Sequence, residues 1–234
     1  MIAGLPLDRG PLKGWVTLEA LAGARFGVAE SYFTAAEAGD PGLDRRGQGA
    51  YFVGGVSYYL AALIAWADLR DGTIPDVRWT NFALSVEGPT AMGLRYRLDA
   101  SVGATTRPAG EVFEAAMTPL IDRVKAATRL ADPAQWRLVA DSIAGAYLLV
   151  GNALGCTELA QERAMEIVRD PRFKPFNGHT GYHRLSPSEV YLKRGGCCRY
   201  YTCEAGSYCA TCVLRPPEEQ LRELMARAGL AAGG

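Results

Sequence analysis

The stretch GGCCRYYTCEAGSYCATCVLRPP, residues 195–217, carries five of the six cysteines in this 234-residue chain. Cys197 and Cys198 are adjacent; ten residues follow, then Cys209, two more residues and Cys212. Successive side chains of a strand point to opposite faces. The adjacent pair can therefore serve one site only where the backbone leaves regular geometry. Gly195 and Gly196 stand immediately upstream, and glycine accepts positive φ and close approach to a bound group.

Three uses of these thiols compete. A vicinal disulfide is strained, and a chain this long buries a full core without staples. Zinc is served by Cys209-Ala210-Thr211-Cys212 as one knuckle, but adjacent cysteines cannot curl beneath a metal as a two- to four-residue spacing does. A [2Fe–2S] cluster is an extended object whose two irons each take two thiolates. Spacing does not say which cysteine meets which iron.

The pattern Cys-Cys, ten residues, Cys, two residues, Cys resembles the signature of the FhuF-type ferric siderophore reductases, iron–sulfur proteins of bacterial iron uptake. The likeness is close around KRGGCCRYY…CATC and its specific part spans residues 194–212, with a basic residue before the pair and tyrosines after it. The general plan is similar too, a helical N-terminal part followed by a C-terminal cluster. The resemblance implies that Cys197, Cys198, Cys209 and Cys212 hold a [2Fe–2S] cluster. It also implies that the protein passes an electron to a ferric siderophore, hydroxamate-type favoured, in the cytoplasm. Cys203, inside the ten-residue loop, departs from the plain pattern and reads as a spare thiol; Cys156 reads as a small buried residue.

Ferric iron in such chelates is held by hard oxygen donors, and one electron converts it to weakly held Fe(II). That chemistry needs no general base or nucleophile. No GxGxxG, Walker loop or HExxH occurs, so the electron is expected from a separate donor, a ferredoxin or a flavin-dependent reductase. Two rivals stay open: a [2Fe–2S] redox sensor or general electron carrier, and a zinc-stabilised binding module. Lys193, Arg194, Arg199 and Arg215 surround the cysteines, where cations favour a reduced, more negative cluster, or are simply solvated charges. Tyr200, Tyr201 and Tyr208 read as packing, and His179 and His183 as loop histidines.

Lys and Arg number 25 against 25 Asp and Glu, which argues against a nucleic-acid binder. The N-terminus, MIAGLPLDRGPLKGW, lacks the basic start and apolar run of a secretory signal, so a cytoplasmic protein is expected. Tyr51–Ala67 is uncharged, yet its glycines, serine and tyrosines suit a core helix better than a membrane span; peripheral membrane association stays open.

The expected fold is α+β: predominantly α-helical, with a small antiparallel β-sheet and a C-terminal iron–sulfur module. The helices are read at 15–24, 49–71, from Thr118-Pro119, from Asp132-Pro133 with Gln135 completing a capping box, at 158–169, and from Pro216-Pro217. Gly54 and Gly55 inside the second suggest that another helix packs closely there. Leu221, Leu224, Met225 and Ala228 form a core-facing stripe in the last. Phe82, Leu84 and Val86 pair across a Glu87–Thr90 turn with a strand alternating Met92, Leu94, Tyr96 and Leu98. Residues 186–189 cap a short helix, unless EVYLK is a strand. A boundary near 176 divides a mainly helical part with a β-hairpin, 1–175, as the siderophore-facing side, from the [2Fe–2S] module, 176–234.

Overall fold

The computed structural model describes residues 7–85, 95–186 and 189–230. In chain order it forms β1 (Leu7–Gly10), β2 (Val16–Thr17), α1 (Leu18–Ala22), α2 (Gly27–Gly39), α3 (Arg45–Asp71), β3 (Ile74–Pro75), β4 (Phe82–Leu84) and β5 (Tyr96–Asp99). Then follow β6 (Ala104–Thr105), α4 (Ala109–Thr128), α5 (Asp132–Leu154), α6 (Thr157–Val168), β7 (Gly181–Arg184), β8 (Val190–Lys193) and α7 (Pro217–Arg227). The fold is α+β and mostly helical, as expected.

Helix α3 is the axis of the molecule. Asp44, in extended conformation, accepts a hydrogen bond from the Gly47 amide at 2.7 Å, so the helix starts before the expected residue 49. Gly72, at φ 63°, closes it in the left-handed conformation that glycine takes without cost. Val53, Val56, Leu60 and Ile64 are wholly buried. Each such side chain contributes about 1.5–3 kcal/mol by leaving water. By length and composition α3 could cross a membrane, but 67% of its most apolar window is buried inside the fold. Its main neighbour is α5, and the two meet where Ser57 Oγ and Ser142 Oγ lie 2.9 Å apart.

Against this helical layer lies a four-stranded sheet in the order β1-β5-β4-β2. The expected hairpin is present as β4 and β5, with Phe82 opposite Leu98 and Leu84 opposite Tyr96. Tyr96 and Leu98 are buried while Arg97 and Asp99 are half-buried, the alternation the sequence predicts. Val86, the Glu87–Thr90 turn, Met92, Gly93 and Leu94 lie outside the described residues. β1 pairs in parallel with β5, so this sheet is mixed rather than antiparallel throughout.

Several boundaries differ from expectation. The helix at 15–24 shrinks to α1, because Val16 and Thr17 pair with β4 and Thr17 caps the helix that follows. Helix α2 was not anticipated; its buried face is Ala29, Tyr32, Phe33 and Ala36, too small and mixed a stripe to stand out. α4 runs straight through Pro119 rather than starting there. The proline forfeits one backbone bond, but Val112, Phe113 and Met117 before it and Leu120, Ile121 and Val124 after it bury one continuous face. The capping box of α5 does not form. Asp132 pairs instead with Lys125 at 3.0 Å, and the buried Gln135 amide donates to the carbonyls of Ile121 and Leu130. α6, β8 and α7 stand where the sequence puts them, EVYLK being strand. Pro187 and Ser188 of the alternative cap lie outside the described residues. In α7 Leu224 is core, but Leu221 is 39% exposed, so the expected stripe is only partly buried.

The chain beyond residue 176 lies on α5. β7 and β8 form an antiparallel hairpin, and Tyr182 in β7 donates its hydroxyl to the Ala144 carbonyl of α5 at 2.9 Å.

Candidate metal centre

β8 delivers the chain to Cys197 and Cys198, and two carboxylates hold it on either side of them, one through backbone amides and one through the Arg199 side chain. The first is Asp141 of α5, 4% exposed. It accepts hydrogen bonds from the Gly195 amide at 2.7 Å, the Gly196 amide at 2.9 Å, the Thr180 hydroxyl at 2.7 Å and Arg194 Nε at 3.3 Å. Burial pushes its carboxyl up from the usual value, against the opposing pull of Arg194 and the other three donors. The second is Asp44, the cap of α3, which forms an ion pair with Arg199. The Arg199 hydrogen bond leads the causes that lower the Asp44 pKa.

The departure from strand geometry comes from an unexpected residue. Gly195 and Gly196 do not adopt positive φ; Arg199 does, at φ 64°, turning the chain directly after the cysteine pair. The two glycines are needed for close approach to protein. A Cβ on Gly196 would stand 3.0 Å from the backbone of Arg137 and Leu138, and one on Gly195 would stand 2.3 Å from the Asn177 amide nitrogen. Without a Cβ the segment settles onto α5, where its amides reach Asp141.

Cys209 and Cys212 form a tight knuckle, the Cys212 amide donating to the Cys209 carbonyl at 3.0 Å. The Leu214 amide bonds to Cys212 and opposes the upward pull that burial exerts on its pKa. Pro216 and Pro217 start α7 at once, which brings Gln220 back to the knuckle. Its amide nitrogen donates to the Cys212 carbonyl at 3.1 Å, and its oxygen lies 3.1 Å from His183 Nε2. Arg215 braces the same turn through the carbonyls of Cys209 and Tyr208.

The fold brings the two halves together. Cys212 feels the charges of Cys209, Cys197 and Cys198, which add to burial in raising its pKa. Arg194 bonds to Cys198 and is close enough to Cys209 to feel its charge. Burial works against its charge, yet Cys198, Asp141 and Cys209 together hold its pKa above the ordinary arginine value. It is thus not a solvated charge; Lys193 is exposed. Cys197, Cys198 and Cys209 are half-buried and Cys212 is buried. Cys203 is buried: burial first, then Asp40, Cys198 and Asp44 raise its pKa. The six cysteines are free thiols, and no three His, Cys, Asp or Glu among the described residues are grouped as ligands of a single metal ion.

The remaining candidates separate. Tyr200 packs on the core, whereas Tyr201 and Tyr208 are exposed, edge to face at 5.8 Å. His179 lies in a turn; His183 sits in β7, opposite Tyr191 of β8, rather than in a loop, and its Nε2 faces Gln220. Cys156 is half-buried at the start of α6, not buried as expected. Asp141, Asp44 and Gln220 carried no signal in the sequence that marked them as partners of the cysteines. No family model matches the chain, and no curated protein matches it.

Proposed function

We propose that this chain is an iron–sulfur oxidoreductase that reduces ferric siderophores, preferably of hydroxamate type, by one electron. One observation carries the reading: Cys197, Cys198 and Cys209 all act electrostatically on Cys212, and the Arg194 cation bonds to Cys198 and pairs with Asp141. Two pairs of thiols suit a [2Fe–2S] cluster, in which each iron takes two protein sulfurs. A single zinc asks four ligands to converge on one point. The motif's resemblance to FhuF-type reductases supports the same assignment.

Bound at these thiols, the cluster supplies a one-electron couple. Cys197, Cys198, Cys209 and Cys212 hold it. Asp141 and Asp44 keep the adjacent pair in place through its flanking residues, and Gln220 does so for the knuckle. Arg194 sets a cation beside the sulfurs, which favours the more negative, reduced state. The half-buried sulfurs keep the site close enough to the surface for donor and acceptor to approach.

The substrate's Fe(III) gains one electron and becomes Fe(II). Its oxygen ligands then hold it far less tightly, so iron leaves with every bond of the chelator intact. The electron comes from a separate donor, a ferredoxin or a flavin-dependent reductase, in the cytoplasm.

Protein purified without oxygen should be brown and contain iron and acid-labile sulfide. Cys→Ser at 197, 198, 209 or 212 should remove the colour, and Cys203→Ser should keep it. Mixing the reduced protein with a ferric trihydroxamate should reoxidise it and release trappable Fe(II). A colourless, iron-free protein, or one that stays reduced, overturns the proposal.

A further inference from the structure

Two adjacent glycines, Gly54 and Gly55, stand in the middle of α3. A neighbouring helix does come close there, as expected: Ser142 of α5 donates to the Gly54 carbonyl at 3.1 Å and meets Ser57 Oγ at 2.9 Å. The space beside the glycines' Cβ positions is nevertheless open. A Cβ on Gly54 would meet nothing within 4 Å, and one on Gly55 would meet only the phenol oxygens of Tyr32 at 3.7 Å and Tyr96 at 3.9 Å. Glycine weakens a helix, and no contact at the Cβ positions requires it here. The notch opens onto a cleft of about 600 Å³ that also receives Tyr51, Tyr58, Tyr59 and Cys198. Clefts of ~300–1,000 Å³ hold compact small molecules.

One wall is rigid. Tyr59 stacks on Tyr96 with ring centres 4.2 Å apart, and Tyr96 stacks in turn on Phe82 at 5.8 Å. Tyr58 meets Tyr59 edge to face at 6.0 Å. Tyr51 bonds to Asp40 and lies within electrostatic reach of Cys198 and Cys203. Burial holds the phenols of Tyr51, Tyr58 and Tyr59 in their neutral form. The charged groups of the cleft are therefore Asp40, Asp141 and Arg194. Asp141 and Arg194 pair with each other, which leaves Asp40 as the uncancelled charge and the cleft anionic.

We propose that this cleft, notched into α3 at Gly54 and Gly55, is the docking site of the iron chelate: an uncharged or cationic ferric chelate rests on the tyrosine wall with Cys198 at its side. The proposal rests on the reading of the protein as a ferric chelate reductase. The notch makes room for the chelate body, and the flat phenol faces accept its apolar rim. The anionic surround disfavours a highly negative chelate such as a tris-catecholate. Cys198 belongs both to the cleft and to the thiol set, so a docked iron sits beside a sulfur ligand.

Binding can be measured without electron transfer by using gallium(III), which has the charge and ligand preference of Fe(III) and is redox-inert here. The neutral gallium complex of a cyclic trihydroxamate and the trianionic gallium tris-catecholate are titrated calorimetrically into anaerobically purified wild type, Gly54→Ala and Gly54→Leu. The neutral complex should bind wild type at least tenfold more tightly than the trianion. Gly54→Ala should weaken it somewhat, and Gly54→Leu at least tenfold, with no fall in thermal midpoint and an unchanged visible spectrum. Equal binding to Gly54→Leu, no binding to wild type, or equal affinity for the trianion would overturn the site. A colourless protein that still binds the neutral complex in a Gly54-dependent way would sink the reductase reading and leave the docking site standing. A brown protein whose binding ignores Gly54 would do the reverse.

Discussion

Asp141→Ala is the substitution that most directly tests how the adjacent cysteines are held. The carboxylate is buried and takes four donors: two backbone amides, a hydroxyl and the Arg194 guanidinium. Its removal leaves the Arg194 cation without its acidic partner, and breaking a buried pair costs about 3–5 kcal/mol. Two buried amides also lose their acceptor, at about 1–3 kcal/mol each. The side chain of Arg194 is 21% exposed, and water entering the vacated space satisfies part of this demand. A net loss of about 3 kcal/mol is therefore expected. At ~2–4 °C per kcal/mol for a protein of this size, the thermal midpoint should fall by roughly 6–12 °C. Circular dichroism at pH 7 measures it. A second readout is local: in cluster-free protein, thiol-directed reagent should label Cys197 and Cys198 faster in the variant. Asp44→Ala is the comparison. It loses a cap, worth about 1 kcal/mol, and a partly exposed ion pair worth at most about 1 kcal/mol, so its midpoint should fall by less. An Asp141→Ala midpoint within about 1 °C of wild type, with unchanged labelling, would show that the carboxylate does not hold this segment.

Gly196→Ala should cost about 1–3 kcal/mol, because its new methyl meets the backbone of α5 and cannot be accommodated by a rotamer change; Gly54→Ala, facing open space, should instead raise stability by about 0.5–1 kcal/mol, and denaturant titration of both reads the contrast. Arg194→Gln should lower the midpoint potential of the bound cluster by removing a neighbouring cation; an unchanged potential in a redox titration would take Arg194 out of the account. The Arg97 hydrogen bond holds the Asp8 carboxyl below its usual pKa. The stability it contributes is complete above the unfolded value of about 3.9 and is lost as pH falls through the lower folded value. Acid titration of stability in Asp8→Asn should lack that portion of the decline, and an identical acid profile would refute it.

What was legible in the sequence was what short-range rules govern. The Cys-Cys and CATC spacings, the alternation at Tyr96 and Leu98, and the prolines that open α7 are all local patterns. Each keeps its meaning wherever the rest of the chain goes. The errors arose where a local signal was outweighed by burial. Thr118-Pro119 looks like a helix start, but the apolar face running through it costs more to break than one missing backbone bond. Gly54 and Gly55 look like helix packing, and α5 does reach the Gly54 carbonyl, but their Cβ positions are open and both residues line a cleft.

The surroundings of the thiols were not legible. Asp141 reaches Gly195 across 54 positions, and Asp44 reaches Arg199 across 155. No spacing rule links residues so far apart. An aspartate capping α3 looks like any other cap, and one buried in α5 looks like an interruption of its apolar face. They become partners of the cysteine segment only because α3 and α5 pack side by side and β8 runs onto α5. The residues able to donate sulfur are a property of the chain's order; the carboxylates that hold them are a property of its packing, since buried amides and a buried guanidinium must find acceptors wherever the fold places them.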